Sequence, residues 1–388
     1  MRVGIFGGTF NPPHSGHENA AKAAAAQLNL DILIVVPVGV PPHKSLPKGS
    51  PSSEIRFLMT QNAFSEIPNS IVSDIEVKTS EPGYTAYTVD AIKKTYPDAE
   101  LFLLMGTDMF LSLESWKDYR VLLDNVIPAV FSRNDSDYKK ISEFSDYLMG
   151  KYGCRTEIIK NTIISISSSK LREFLPLRGG MRYIKDTNYR YIISSRLYDA
   201  KSDWDWLRKQ AYNMLDSKRV PHVAACEVSA VELAERWGVN EDDAREAAIL
   251  HDITKRLDIT GHLKALGDHN ADASKVTKSE SKLLHAKSGA ALAKSLFGVS
   301  DEVEDAIKWH TTGKAGMSML AKILYIADYI EATRDFAGVE TLRRLAFEDI
   351  DKAMILGLEM TVSDISSKGI TPNEATLAAI SDLKGKPA

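Results

Sequence analysis

The sequence predicts an α/β doubly wound parallel sheet over residues 1–197, followed by an all-α domain over residues 198–388. Three observations lead there. Through the first half, short β-rich runs alternate with helical patterns, the order that builds a parallel sheet covered on both faces. From Trp204 onward the periodic segments have helical apolar spacing and none reads as a strand. The 388 residues are also too many for one ordinary hydrophobic core.

The chain opens on an apolar run, Arg2 to Phe6, which breaks into Gly7-Gly8-Thr9-Phe10-Asn11-Pro12-Pro13-His14-Ser15-Gly16-His17 and then enters an alanine-rich helical stretch, Glu18 to Leu28. A strand that ends in glycines and opens a helix aims backbone N–H groups at a phosphate. A Gly-Gly pair by itself fits an ordinary β-α turn. His14 and His17, just before the helix, add imidazoles able to donate to phosphate oxygens and to stabilise charge in a transition state. Further strands are expected at Asp31–Val36, Ile71–Val77, Leu101–Met105 and Ile127–Phe131, with helices at Ser53–Phe64 and Thr85–Tyr96. Ligands of such sheets bind beyond the carboxyl ends of the strands. The segments after these runs are Pro41-Pro42-His43-Lys44, Gly83-Tyr84-Thr85, Gly106-Thr107-Asp108 and Ile166-Ser167. Taken alone, Lys44 is a solvated lysine on a stiff loop, Thr85 and Ser167 are helix caps, and Trp116 is a packing residue.

The whole string carries more. His14-Ser15-Gly16-His17 resembles the T/H-x-G-H nucleotidyltransferase superfamily, and the run from Gly7 to His14 is similar to the bacterial nicotinate-nucleotide adenylyltransferases. The resemblance implies a Rossmann-like nucleotidyltransferase that moves AMP from ATP, carried with Mg2+, to nicotinate mononucleotide, giving deamido-NAD and pyrophosphate. It implies substrate contacts from Gly7, Gly8, Thr9 and Phe10, and catalytic roles for His14, His17, Lys44 and Arg172. Ser167 and Arg172 would bracket the triphosphate, with Arg133 as a further phosphate contact. Gly106 and Asp108 would hold adenosine, Thr85 the pyridine nucleotide, and Trp116 would lie against the nicotinate ring. Tyr87 stands where that pattern has an acidic residue.

In the second half, helices are expected at Val220–Arg236, Glu241–Leu250, Ser281–Leu296, Asp301–His310, Leu320–Ala332 and Gly338–Val362. A polar segment, Gly267 to Ser279, reads as a loop with a solvated His269. Along these helices fall His222, His251, Asp252, His285, His310 and Asp328. Any one of them alone is an ordinary core or surface group. Leu250, Leu284, Trp309 and Ala327 immediately precede four of these positions, and ionisable groups are rarely buried unless paired or bound to metal. Adjacent helical residues point about 100° apart, so His251 and Asp252 can share an ion only in a seam between helices.

Ala248-Ile249-Leu250-His251-Asp252-Ile253-Thr254-Lys255 resembles the motif of the HD superfamily of metal-dependent phosphohydrolases. Leu284-His285, His310-Thr311-Thr312-Gly313 and Ile326-Ala327-Asp328-Tyr329-Ile330-Glu331 are similar to the bacterial HD hydrolases that split diadenosine tetraphosphate symmetrically to two ADP. That resemblance implies that the six groups are ligands of a two-metal centre with Asp252 in a catalytic role. Imidazole and carboxylate donors favour iron or manganese. Lys255 and Arg334 are then candidates for the remaining phosphate charge.

Composition sets the outer bounds. Hydrophobic content of 44% and charged content of 26% are those of an ordinary globular protein. A net charge of −4 gives no general attraction to nucleic acid or anionic membranes, so neither is an expected partner. Cys154 and Cys226 cannot make a disulfide framework, no run approaches the roughly 20 apolar residues of a membrane span, and no secretion signal is visible. A cytoplasmic location is the expectation, and self-association into a homo-oligomer stays open. The reading is therefore a bifunctional enzyme. Its alternatives are a first half serving another acceptor such as phosphopantetheine, and a second half acting as a mononucleotide or alarmone phosphohydrolase or as a non-hydrolytic nucleotide sensor.

Overall fold

A computed structural model of the protein describes residues 1–42, 45–79, 81–132, 137–267 and 278–385. The predicted contacts Lys44 and Arg133, and the histidine His269, lie outside the described residues. The chain divides into two units, Met1–Lys201 and Ser202–Ala388.

The first unit is a doubly wound α/β structure. Its strands are β1 (Arg2–Gly8), β2 (Ile32–Pro37), β3 (Ser70–Val72), β4 (Glu100–Gly106), β5 (Ile127–Phe131) and β6 (Glu157–Ile159). They form one sheet in the order β3-β2-β1-β4-β5-β6, parallel throughout. The helices are α1 (Ser15–Gln27), α2 (Ser53–Phe64), α3 (Thr85–Thr95), α4 (Thr107–Leu111), α5 (Tyr119–Asn125), α6 (Asp137–Tyr152), α7 (Ser168–Phe174) and α8 (Asp186–Ser194). Strand residues alternate between two apolar layers as the period-two pleat requires. Val3, Ile5, Ile34, Val36, Leu101 and Leu103 pack with Val89 and Ile92 of α3 and Leu122 of α5. Phe6, Leu33, Val35, Phe102 and Leu104 pack with Ala20, Ala21 and Ala24 of α1 and Phe64 of α2. The chain turns from one side of the sheet to the other between β1 and β4, and the crevice at such a reversal is where these sheets bind ligands.

Several elements depart from expectation for local reasons. The helix expected from Glu18 starts at Ser15, with His14 in the N-cap position and His17 in the first turn. The strand expected over Ile71–Val77 ends at Val72, because the Asp74 carbonyl takes the N–H groups of Val77 and Lys78 at 3.0 Å and closes a turn. Tyr84, not Thr85, occupies the cap position of α3. The short β6 carries too few apolar residues to stand out.

The second unit is helical: α9 (Trp204–Asn213), α10 (Val220–Trp237), α11 (Glu241–Leu250), α12 (Ile259–Ala265), α13 (Lys278–Phe297), α14 (Asp301–Trp309), α15 (Met319–Ile330), α16 (Val339–Glu348), α17 (Ile350–Ser367) and α18 (Glu374–Leu383). Lys278 and Ser279, expected in a loop, belong to α13, and residues 268–277 lie outside the described residues. The single helix expected over Gly338–Val362 is two, since Asp349 leaves helical geometry at φ −155° and caps α17 by accepting from the Lys352 N–H at 3.1 Å. Leu320, Ala321, Ile323, Leu324, Ile326 and Ala327 of α15 have no exposed surface. A helix apolar on all sides is a central helix, and α15 packs against α10, α11, α14 and α17. Among the described residues, no helix is long and apolar enough to cross a membrane.

Arg56 of α2 is only 1% exposed. Its guanidinium donates to the carbonyls of Thr9 at 2.8 Å, Val38 at 2.7 Å and Gly39 at 2.9 Å, joining the loops that follow β1 and β2. Replacing it with methionine keeps much of the volume and strands three acceptors, of which the Gly39 carbonyl is buried and the other two half-buried. Arg56→Met should destabilise the first unit by roughly 3 kcal/mol, read as a lower denaturation midpoint at unchanged slope. An unmoved midpoint would mean that those carbonyls are satisfied without it.

Candidate active sites

In the first unit a cleft of about 1030 Å³ opens beyond the carboxyl ends of β1 and β4. Gly7, Gly8, Thr9, Phe10, His14, His17, Thr85, Gly106, Asp108, Trp116, Ser167 and Arg172 all line it. A side chain on Gly8 would meet the Phe10 ring at 2.9 Å, and Phe10 itself takes a left-handed φ of 46°. The loop therefore needs glycine where Phe10 folds back to close the apolar layer beneath it.

His17 is fixed from three sides. Its Nδ1 accepts from the His14 backbone N–H at 3.2 Å. Its ring lies 3.7 Å from that of His14 and meets Phe10 edge-on at 5.0 Å, centroid to centroid. With Nδ1 accepting, the neutral ring carries its proton on Nε2, which makes that nitrogen a donor. The opposite wall is tied to the same loop: Arg172 donates to the Asn11 carbonyl at 2.6 Å and to Ser169 Oγ at 3.1 Å, and Ser168 Oγ donates to the Pro12 carbonyl at 2.8 Å. Ser167 caps α7 by accepting from the Lys170 N–H at 3.2 Å. Thr107 donates to the buried Asp137 at 3.0 Å, fixing the turn that carries Gly106 and Asp108.

The third wall is aromatic. Trp116 packs half-buried against the core and its indole N–H reaches Ser112 Oγ at 3.4 Å. Lys117 holds its ammonium 4.3 Å above the Tyr84 ring and 4.9 Å above that of Tyr87. A cation over these two rings occupies the wall where an acidic residue was expected at Tyr87. Behind it, Glu76 accepts from Thr88 Oγ1 at 2.5 Å, and its other oxygen has no hydrogen-bond partner among the described residues. Burial pushes the Glu76 carboxyl up, and the Thr88 bond opposes that shift. A Cβ on Gly83 would fall 2.1 Å from Glu76 Oε2. Glu76, Lys117 and Arg56 were not singled out from the sequence, where each is one charged residue among many.

In the second unit four histidines converge on Asp252, which has no exposed surface. Its carboxylate lies 3.5 Å from His251 Nε2, 3.4 Å from His285 Nε2, 3.8 Å from His310 Nε2 and 3.9 Å from His222 Nε2. His222 Nε2 is 3.1 Å from Asp328 Oδ1 and 3.4 Å from His251 Nε2. His251 and His310 sit just past the ends of α11 and α14, and each places Nδ1 2.7 Å from a carbonyl three residues back, Ala248 or Ile307. Those bonds leave the Nε2 lone pairs facing the common centre.

Two sets of donors lie close enough to hold an ion: His222, His251 and Asp328, and His251, Asp252 and His310. Asp252 Oδ1 and His310 Nε2 are buried without a hydrogen-bond partner among the described residues, which is what cation-binding atoms would show. The residues present thus fit a transition-metal centre. Burial pushes the Asp252 carboxyl up, but His251, His310 and Lys255 outweigh it and hold the group well below the usual carboxylate range. Asp328 is treated likewise, burial being outweighed by the His222 bond and by the charges of His251 and His310.

Cations ring the centre. Lys255 Nζ is 2.8 Å from His285 Nε2 and 3.6 Å from Asp252. Arg334 donates to Asp328 Oδ1 at 2.6 Å. Arg219, which drew no notice in the sequence, donates through Nε to Asp252 Oδ2 at 2.6 Å and touches the same oxygen through its terminal nitrogen. Its position three residues before His222 is the one signal that could have found it.

Comparison with known proteins adds the following. The cytidylyltransferase-like family model matches residues 5–174, and the HD domain model matches residues 219–333. A probable nicotinate-nucleotide adenylyltransferase/Ap4A hydrolase of Mycoplasma genitalium is 28% identical over 371 residues, covering 92% of this chain and 97% of that protein. A probable nicotinate-nucleotide adenylyltransferase of Carboxydothermus hydrogenoformans is 34% identical over 201 residues, which is 51% of this chain and 98% of that protein. A solved structure described as a predicted HD superfamily hydrolase involved in NAD metabolism, from Clostridium acetobutylicum, is 33% identical, covers 48% of this chain and 99% of its own, and has a TM-score of 0.45. With the glycine loop, the paired histidines and the His-Asp centre already in place, the two family models and the Carboxydothermus relative assign the chain: it belongs to the nicotinate-nucleotide adenylyltransferase family through its first half and carries an HD domain in its second.

Proposed function

We propose that the first unit transfers AMP from ATP to nicotinate mononucleotide. The observation that carries this reading is the convergence in one cleft of a glycine loop, the His17 Nε2 donor, Arg172 and the Trp116 wall. A phosphate oxygen of the mononucleotide attacks the α-phosphorus of ATP, the bond to the β-phosphate oxygen breaks, and pyrophosphate leaves with its Mg2+. No side chain forms a bond to the substrate. Positioning and neutralisation of charge supply the rate, as in phosphoryl transfer generally. His17 donates from Nε2 to the α-phosphate as charge builds there, with His14 holding its ring. Gly7, Gly8, Thr9 and Phe10 line the floor beneath the phosphates, Arg172, Lys44 and Arg133 neutralise the triphosphate, and the Ser167 hydroxyl hydrogen-bonds to it. Gly106 and Asp108 receive adenosine, while Thr85 and Trp116 receive the pyridine ring.

For the second unit we propose symmetric hydrolysis of diadenosine tetraphosphate to two ADP at a centre of two iron or manganese ions held by His222, His251, Asp252, His285, His310 and Asp328. The convergence of all six groups is the supporting observation. Bound ions supply Lewis acidity and a water acidified to a pKa of about 7. The chain's own part is to orient the imidazoles through the Ala248 and Ile307 carbonyls and to keep Asp252 ionised. Arg219, Lys255 and Arg334 present three cations to the phosphate chain. A dinucleoside polyphosphate offers enough negative charge to engage all three, which favours it over a mononucleotide. We also place the functional division of the chain close to the expected 197/198 boundary, with Tyr198 to Lys201 still serving the first unit.

Three outcomes test these readings. His17→Ala should lower kcat for deamido-NAD formation about a hundredfold or more while KM changes little, because the donor acts mainly in the transition state. A loss confined to KM would contradict that role. Trp116→Ala should raise KM for nicotinate mononucleotide about tenfold by removing one stacked face, measured with ATP saturating. Chromatography of diadenosine tetraphosphate digests should show two ADP with the Mn2+-loaded chain and no cleavage with Asp252→Ala or after chelation. AMP plus ATP would place attack on a different phosphorus, and no products from the loaded wild type would favour the sensor or mononucleotide alternatives.

A further inference from the structure

We infer that Glu331 is a positioning residue for the metal centre, one that fixes the tautomer and orientation of His222 and so makes the His222, His251 and Asp328 set the tighter of the two ion sites. The inference rests on the metal-centre reading given above and concerns a side chain outside the ligand set. Glu331 follows the last residue of α15 and has no exposed surface. Its Oε1 lies 3.0 Å from His222 Nδ1 and also accepts from Thr333 Oγ1 at 2.7 Å, with Arg334 Nε 3.3 Å away. Its Oε2 accepts from the Thr333 backbone N–H at 2.6 Å. The carboxylate is thus anchored by the chain turn that follows it and cannot rotate away from the imidazole.

Comparison of the imidazoles gives the argument its force. His251 and His310 turn Nδ1 to neutral backbone carbonyls, at 2.7 Å each. His222 alone of these three turns Nδ1 to a carboxylate. A full negative charge holds the proton on Nδ1 and leaves Nε2 as a better electron donor than a carbonyl partner would. That Nε2 faces Asp328 Oδ1 at 3.1 Å and His251 Nε2 at 3.4 Å, the other members of its set. Arg334 bridges Glu331 and Asp328, so the same carboxylate also steadies the cation that touches the neighbouring ligand.

The experiment is a titration of the metal-free full-length chain with Mn2+, followed by calorimetry with no phosphate ester present. The wild type should bind in two steps of unequal affinity. Glu331→Gln retains a neutral acceptor of the same shape, and it should weaken the tight step about tenfold or more while leaving the weak step in place. A general loss of structure would move both steps together. Thr333→Val removes only a hydroxyl that anchors the carboxylate, and it should weaken the tight step roughly threefold, supplying the test if Glu331→Gln does not fold. Equal tight-step affinity in wild type and Thr333→Val, or in wild type and a folded Glu331→Gln, overturns the inference, as does a wild type that takes up no Mn2+. A chain that binds Mn2+ in this way and cleaves no dinucleotide sinks the hydrolase reading and leaves the inference standing.

Discussion

A carboxylate with no exposed surface can stay charged only if positive or hydrogen-bonding groups converge on it, and Asp252 sets that condition for the second unit. Helix ends meet most of the demand, and the interior of α13 supplies His285. His251 and His310 each stand one residue beyond a helix, where the backbone has turned enough to send a side chain into the seam. Asp328 sits in the last turn of α15, the helix around which the others pack. Three cations then enclose the cluster from different segments of the chain, Arg219 before α10, Lys255 after α11 and Arg334 after α15. The apolar packing of α15 and the polar centre are therefore one design: the core fixes the helices, and the helices fix the donors.

The first unit solves the opposite problem. There a cation, Arg56, is buried, and its partners are neutral carbonyls of two loops rather than carboxylates. Because those loops follow β1 and β2, a side chain on α2 holds together two margins of the cleft. Asn11 is gripped in the same manner from Arg172, Ser50 and Tyr198, so the backbone after the glycines has little freedom to adapt. Rigid placement of donors is what a transfer reaction without covalent catalysis requires.

Much of this was legible in the sequence, for physical reasons that differ by residue. The glycine loop and the paired histidines are local, and local geometry is written in adjacent residues. The alternation of apolar runs gave five of the six strands; β6 escaped because three residues at a sheet edge, Glu157 to Ile159, carry almost no pattern. Asp349 hid a helix break since aspartate is tolerated inside helices and its capping bond depends on the backbone it helps to form. Arg56, Glu76, Arg219 and Glu331 were opaque for a common reason. Each earns its place through partners far away in sequence, His222 and Glu331 being 109 positions apart, and no spacing rule encodes such a meeting.

The bond from the Tyr198 hydroxyl to Asn11 Oδ1, at 2.8 Å, bears on how the two halves can be handled separately. Tyr198 is 9% exposed, and just beyond it the Lys201 N–H is bonded to the Leu175 carbonyl at 3.0 Å. A gene fragment ending after Lys201 keeps both ties and delivers the cleft loop in its folded setting. One ending at Leu197 discards the phenol, bares the pocket it filled, and leaves the loop beside the paired histidines short of a partner; any slow turnover measured on that shorter piece would report the cut and not the enzyme.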